Sequence, residues 1–388
     1  MTATGVAAAF SPSAVAAHIG AEVAGPSSDD VDRNARFPIE AVDAFRAGRL
    51  LGALVPVSLG GEGSTLSEIA AAVRTLAPHC ASAAMVFAMH QIQVACLVRH
   101  GHQPAQRDYL RRLCAEQLLL ASATTEVSVG GDVRTSVCAV ERTPWGIRLE
   151  KQAPVISYGR HADGILATAR RGPDSPPSDQ VLVICRPPGI TLEQTSGWDT
   201  LGFRGTCSLG FRLVAEGTED DVLPDSYGDI SSQTMLPVSH ILWSSLWLGL
   251  AEAAAARAHH YVRGQARKAP GTTPPSALRL AELAGLLEQF RELVGGAERR
   301  YGRDQGDPAA LSSIGFALAM NTLKVQASTL VVDVVNRALT ICGMAGYRDD
   351  SPHSMGRLLR DAHGAALMIN NDRILSNSAK LLAVAKEL

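Results

Sequence analysis

The chain has 388 residues, 46% of them hydrophobic but only 5% aromatic, and a formal net charge of −2. That length allows a large core shared among two or three domains, and an Ala-rich apolar fraction with few rings suits long helices. The near-neutral balance gives no electrostatic reason to expect nucleic acid or an anionic membrane surface as a partner. Seven cysteines stand singly with no Cys-x-x-Cys pair, a scatter that points to reduced thiols in a cytoplasmic protein. Met1 to Gly25 has no Lys or Arg ahead of an apolar run and so does not read as a signal peptide. The longest strongly apolar stretch, Ile241 to Ala251, is too short to span a bilayer.

In chain order, residues 1–117 read as an α-helical domain. Pro38 suits a first helical position ahead of Ile39-Glu40-Ala41-Val42, and Val55 to Gly63 is a turn rich in Pro and Gly. Thr65-Leu66-Ser67-Glu68 has capping-box spacing and opens the next helix, which is followed by a helix over Ser82 to His100. From residue 118 to 228 the period changes to short β-forming runs: Leu119–Thr124, Ser136–Val140, Gly146–Leu149, Gly164–Ala169 and Val181–Cys185. From residue 229 helical spacing returns in four blocks, 236–266, 276–302, 309–341 and 354–387, the pattern of an antiparallel four-helix bundle. Gly-x-Gly-x-x-Gly after a strand, the phosphate-loop, nucleophile-elbow and His-Glu-x-x-His motifs are all missing. No metal site is expected, because the adjacent His259 and His260 point about 100° apart on a helix.

The run Cys342-Gly343-Met344-Ala345-Gly346-Tyr347, followed by Arg357-Leu358-Leu359-Arg360-Asp361-Ala362, resembles the C-terminal signature of the acyl-CoA dehydrogenase superfamily. The resemblance implies that family's fold: mainly α with a central β domain, ordered as an N-terminal helical domain, a middle β-barrel or sandwich and a C-terminal four-helix bundle. It also implies a flavoprotein oxidoreductase using FAD, assembled as a homotetramer or dimer because the FAD site is completed across subunits. The family's catalytic Glu lies in a Tyr-Glu-Gly-Thr motif, and its place here is held by Ile369. The degraded flavin motifs leave FMN or loosely bound reduced flavin open beside FAD.

Site residues carried over by the resemblance follow the chain. Thr125-Glu126-Val127-Ser128-Val129-Gly130-Gly131-Asp132 stands where the family's flavin loop lies, so Thr125, Gly130, Gly131 and Asp132 are expected at the cofactor. Physically, successive glycines let amide N–H groups approach an anion closely. Ser157 keeps the hydroxyl that the family places near flavin N5, while Val155 stands in for a covering Trp. Trp198-Asp199-Thr200-Leu201-Gly202-Phe203-Arg204 matches the Leu-Gly-x-Arg segment, with a lead-in closer to flavin monooxygenases. Arg267, Gly343 and Gly346 fall where the family contacts the FAD of a neighbouring subunit, and Asn371 where it has a Thr near cofactor or substrate. His90, Ser239 and Ile369 are expected to line the substrate cavity, although His90 reads equally as packing.

The base is the open question. His240, at the start of a helix, is the first candidate because an imidazole titrates near neutrality, and Asp372 is the second; for His240 an ordinary core-edge histidine is the competing reading. Two enzymatic readings follow. One is α,β-dehydrogenation of an unusual acyl thioester, on CoA or a carrier protein, with an electron-transfer flavoprotein as partner, and the overall resemblance leans this way. The other is a two-component monooxygenase fed by a flavin reductase, which needs reduced flavin and oxygen but no Glu. A non-catalytic assembly partner that keeps the fold is a reading of another class.

Overall fold

The structure, a computed structural model, describes residues 10–127 and 135–385. Its N-terminal part is helical: α1 (Pro12–Ile19), α2 (Gly25–Arg33), α3 (Ile39–Ala47), α4 (Leu66–Leu76), α5 (Ala81–His100) and α6 (Pro104–Glu116). The capping box forms as the spacing predicts. The Thr65 hydroxyl accepts from the Glu68 N–H, and the Glu68 carboxylate accepts from the Thr65 N–H at 2.7 Å. Helix α5 is apolar on nearly every face and buried along most of its length, as a central helix must be. By length and composition, α5 and one bundle helix are long and apolar enough to cross a membrane, which corrects the expectation drawn from Ile241 to Ala251. However, 83% of the α5 window is buried inside the protein.

Among the described residues seven strands follow: β1 (Leu120–Ala123), β2 (Glu141–Thr143), β3 (Gly146–Ile156), β4 (Gly164–Arg170), β5 (Gln180–Cys185), β6 (Ile190–Ser196) and β7 (Leu209–Gly217). They form a three-stranded sheet in the order β1-β4-β5 and a four-stranded antiparallel sheet in the order β2-β3-β7-β6. Strands β4 and β5 are the apolar runs seen in the sequence, buried on both faces. Strand β6 escaped detection because Thr, Glu, Gln and Ser dominate it, and it is a largely exposed edge strand. The expected strand over Ser136–Val140 contributes only a single bridge, Ala139 to Arg170.

A short helix, α7 (Tyr227–Ile230), and a π-helical turn over Ser231–Met235 lead into the bundle. The bundle consists of α8 (Leu236–Lys268), α9 (Ser276–Asp304), α10 (Pro308–Leu311), α11 (Ile314–Cys342), α12 (Met344–Tyr347), α13 (Gly356–His363) and α14 (Asn371–Leu382). Helices α8, α9 and α11 pack mutually, and α14 covers α11. The fourth bundle position is therefore two helices, α13 and α14, joined through the turn ending at Ile369 and Asn370. Helical domain, middle β region and helical bundle are arranged as the family resemblance implies.

Candidate active site

A cavity of about 810 Å³ lies where α5, α8, α13 and the β domain meet, a volume typical of small-molecule sites. Helix periodicity explains its helical walls. Met85, Met89, Ile92 and Gln93 recur along one face of α5, and Leu236, Ser239 and Trp243 recur along one face of the α8 segment. The β domain contributes Thr124, Thr125 and Val127 just beyond β1, and Val155 and Ser157 at the end of β3. The loop from Trp198 to Phe203 closes one side against α13. Gly202 is required there, since a Cβ would sit 2.3 Å from the Arg360 carbonyl oxygen. The buried Asp361 accepts the Phe203 N–H at 2.6 Å and locks the loop to α13. Burial pushes its carboxyl up to about 6, partly countered by that hydrogen bond.

Three hydroxyls form a chain along the β-domain wall. Ser157 and Ser208 are 2.8 Å apart, Ser208 and Thr206 are 2.7 Å apart, and Thr206 donates to the Phe203 carbonyl at 2.9 Å. All three line the cavity. Each hydroxyl has one proton, and the carbonyl can only accept, so the chain has a fixed direction. Thr206 spends its proton on Phe203, Ser208 donates to Thr206, and Ser157 donates to Ser208. Ser157 therefore offers the cavity lone pairs and no proton.

The carboxylate among the described lining residues is Glu126, and it is already committed. Lys151 Nζ donates to it at 2.5 Å, Val137 N–H at 2.7 Å, and the Ser136 hydroxyl also donates. Burial alone would raise its pKa, but the charge and hydrogen bond of Lys151, with Ser136 and Val137, outweigh burial and hold it below the ordinary carboxylate value. Lys151 also donates to the Thr168 carbonyl at 2.8 Å, and both members of the pair are buried. The pair anchors the segment Thr124–Val127 along the cavity wall.

The sequence-expected residues divide sharply. Thr125, Ser157, Ser239 and Ile369 line the cavity. Gly130, Gly131 and Asp132 lie outside the described residues. His240 does not face the cavity as expected: it lies one residue further round α8 than Ser239, its Nδ1 paired with the Met320 carbonyl of α11 at 3.0 Å, and burial pushes it down to about 4. Asp372 is exposed in the first turn of α14, and its N–H is capped by Asn370. His90 is a core staple rather than cavity lining. It accepts from the Leu120 N–H at 3.0 Å and donates to the Leu51 carbonyl at 2.8 Å, tying α5 to the start of the β domain. Asn371 turns away from the cavity and is held by Lys324 at 2.8 Å and Ser328 at 3.0 Å. Arg267 is exposed at the end of α8, Gly343 caps α12 and Gly346 lies within it, all outside the cavity of the single chain. Among the described residues no cluster of His, Cys, Asp or Glu is placed to hold a metal ion.

Ile369 carries a structural peculiarity that sequence did not reveal. Its φ is 44°, a left-handed conformation that a β-branched residue adopts at a cost of about 1–3 kcal/mol. Buried Lys324 holds it there by donating to the Ile369 carbonyl at 3.0 Å and to Asn371 Oδ1. Burial pushes the Lys324 ammonium down to about 8. Sequence reasoning also missed His363, which lines the cavity with Arg360, Gly364 and Leu367. Their spacing of three, four and seven residues is that of one helical face, carried on through the turn after α13, and was legible in principle. Arg360 is paired with Asp32, whereas His363 is exposed at the mouth with no hydrogen-bond or ion-pair partner among the described residues.

Sequence and structural comparisons agree with this architecture. The family profile described as acyl-CoA dehydrogenase, N-terminal domain, matches residues 13–117, and the C-terminal domain profile matches residues 230–369. The amino sugar nitrososynthase DnmZ of Streptomyces peucetius is 28% identical over 360 residues, covering 88% of this chain and 85% of the relative. The cyclohex-1-ene-1-carbonyl-CoA dehydrogenase of Syntrophus aciditrophicus is 24% identical over 345 residues, covering 87% and 80%. The FMN-bound structure of TdsC from Paenibacillus sp. A11-2 superposes with a TM-score of 0.81 at 19% identity, covering 96% of each chain. With its two helical domains matched over more than half of its length and the whole fold shared, the chain belongs to the acyl-CoA dehydrogenase family of flavin-dependent oxidoreductases.

Proposed function

We propose that this protein is a flavin-dependent monooxygenase that works on reduced flavin and oxygen, rather than a dehydrogenase of acyl thioesters. The observation that carries the reading is the direction of the hydroxyl chain. Ser157 presents an acceptor to the cavity, which complements a flavin ring nitrogen that bears a proton, as N5 does in the reduced form, and not one that seeks a proton. Flavin suits the remaining wall, where Thr125 and Val155 stand at the β-domain side of an 810 Å³ cavity. When bound, reduced flavin supplies the electrons that activate oxygen for transfer to a substrate.

Among the described lining residues, the interior of the cavity also favours this reading by what it withholds. Removing a proton α to a thioester needs a base within hydrogen-bond reach, a contribution of about 10²–10⁴ in rate. Glu126 is tied to Lys151, Ile369 is apolar, and His240 and Asp372 are elsewhere. His363, at the mouth, is placed to pass protons between cavity and solvent. Two relatives support the class: DnmZ is named a nitrososynthase, and a relative from Pseudomonas putida, 25% identical over 315 residues, is named a probable FMNH2-dependent monooxygenase. A flavin reductase is the partner implied. Assembly as a homo-oligomer would bring Arg267, Gly343 and Gly346 to a neighbour's cofactor, and exposed Met344 and Tyr347 beside that loop offer apolar contact area.

The test compares flavin forms and substrates. Reduced FMN or FAD is expected to bind more tightly than the oxidised form, with the preference lost in Ser157→Ala. Oxygen from labelled gas is expected in the product when a reductase supplies flavin. Anaerobic loss of the flavin's visible absorbance on adding acyl-CoA substrates, or equal affinity for the two redox forms, would refute the proposal.

A further inference from the structure

A second cavity, of about 550 Å³, lies on the other side of the β-domain wall of the first. One side of it is aromatic: Phe37, in the turn between α2 and α3, stacks on His161 with ring centroids 4.0 Å apart and planes within 5° of parallel. Ile39 and Leu209 add apolar surface. The residues that lead into β7 divide between the two spaces in alternation. Thr206 and Ser208 line the first cavity, and Cys207 and Leu209 line the second. That segment is therefore a partition one backbone thick. Among the described residues, Trp198 is the side chain common to both linings. Its indole is held in place, because Nε1–H donates to the Phe203 carbonyl at 3.2 Å and the Phe203 N–H is tied to Asp361 of α13 at 2.6 Å.

We propose that Trp198 is a specificity-determining residue that limits the length of the substrate by closing the first cavity off from the second. An indole that lines both spaces occupies volume through which they would join, and the Thr206–Leu209 backbone continues the partition beside it. A substrate that extends toward this wall ends at the indole face, so the protein takes compact molecules and rejects longer ones that would run past it. The second chamber is suited to receive such an extension where it is apolar or aromatic. Its charges stand at the margin: Arg36 is spent on Asp30 and Glu40, and the Arg160 guanidinium lies over the Phe211 ring, 6.0 Å from its centroid. Burial pushes the His161 imidazole toward its neutral form. Truncating the indole therefore opens onto aromatic and aliphatic surface, where each added methylene gains by leaving water. The inference rests on the first cavity's being the substrate site of the proposed oxygenation and names the residue that decides which substrates fit.

Titration calorimetry of the flavin-loaded protein with straight-chain primary alcohols, from butanol to undecanol, measures this limit. In the parent protein, affinity is expected to rise about fourfold for each methylene buried until the chain meets the indole, and then to level off. In Trp198→Ala the levelling point is expected to move to a longer alcohol. Undecanol should then bind at least about tenfold more tightly than to the parent, while butanol changes by less than about threefold. Trp198→Phe loses the hydrogen bond but keeps a ring in the gap, and is expected to hold the parent's limit to within about one carbon. Trp198→Leu, a smaller truncation, should move the limit in the same direction as Ala and serves as the test if the alanine variant does not fold. Adding Leu209→Trp to either truncation fills the second chamber and is expected to restore the parent's limit. A shared levelling point in the parent and the truncations, no levelling in the parent, or a gain that persists with Leu209→Trp would overturn the assignment. None of these readouts involves turnover. A protein whose limit moves as expected but whose flavin bleaches anaerobically with acyl-CoA would refute the oxygenation and leave the partition standing.

Discussion

Replacing Lys151 by Met tests how the cavity wall is held. Lys151 and Glu126 are both almost fully buried, and the ammonium reaches the carboxylate at 2.5 Å, the Thr168 carbonyl at 2.8 Å and the Thr168 hydroxyl at 3.2 Å. Removing the cation leaves a buried carboxylate facing only Ser136 and the Val137 and Cys138 amides. Breaking a buried pair from one side typically costs about 3–5 kcal/mol, and the remaining donors place this site toward the lower end. For a chain of this length that corresponds to about 4–6 °C in melting temperature if the chain unfolds as one unit. The double variant Lys151→Met with Glu126→Gln is expected to recover most of the loss, because no uncompensated charge remains. The pH dependence has a definite sign. Glu126 sits below its ordinary value of 4.5 in the folded parent, so its contribution is complete above that pH and is lost as pH falls through the folded value. In Lys151→Met the carboxyl is raised instead, so the gap between variant and parent narrows on acidification. Urea unfolding of parent, single and double variants from pH 7 to pH 4 measures all three effects. A single-variant loss below about 1 kcal/mol, or a double variant no more stable than the single, would refute this account of the wall.

Other consequences follow from the same geometry. His363→Ala is expected to slow turnover by about 10²–10⁴ if this imidazole carries the proton traffic at the mouth, while His240→Leu, away from the cavity, changes turnover less than about threefold; steady-state kinetics of the pair decides between them. Lys324→Met should release the Ile369 carbonyl and Asn371, with weaker flavin binding read by fluorescence titration. Its stability profile has an alkaline signature. Lys324 is pushed from 10.5 down to about 8, so the unfolded chain binds more protons between these values and the parent gains stability with rising pH there; the variant lacks that gain in thermal melts.

Much of the molecule was legible before folding was considered. The change of period near residue 118, the return of helical spacing after residue 229 and the Thr65–Glu68 cap each became the element they announced, because helix and buried-strand patterns are local consequences of which face must be covered. Motif position also brought Thr125, Ser157, Ser239 and Ile369 to one cavity. Sequence failed where direction mattered. Ser239 and His240 are neighbours in the chain, yet a step of about 100° around α8 sends one to the cavity and the other into the contact with α11. Asn371 looked like a cofactor ligand until Lys324, 47 residues earlier on another helix, claimed it.

The sequence by itself determined the order of the domains, the helix and strand types and the absence of Glu at the position held by Ile369, since each depends on neighbouring residues alone. Only the tertiary structure decided that Glu126 is spent on Lys151 and that the Ser157 hydroxyl points its proton away from the cavity. Each of these turns on where a hydrogen-bond partner from a distant part of the chain comes to lie. Burial raises the energetic weight of every such pairing, and burial exists only once the helices and the β domain have closed around the site.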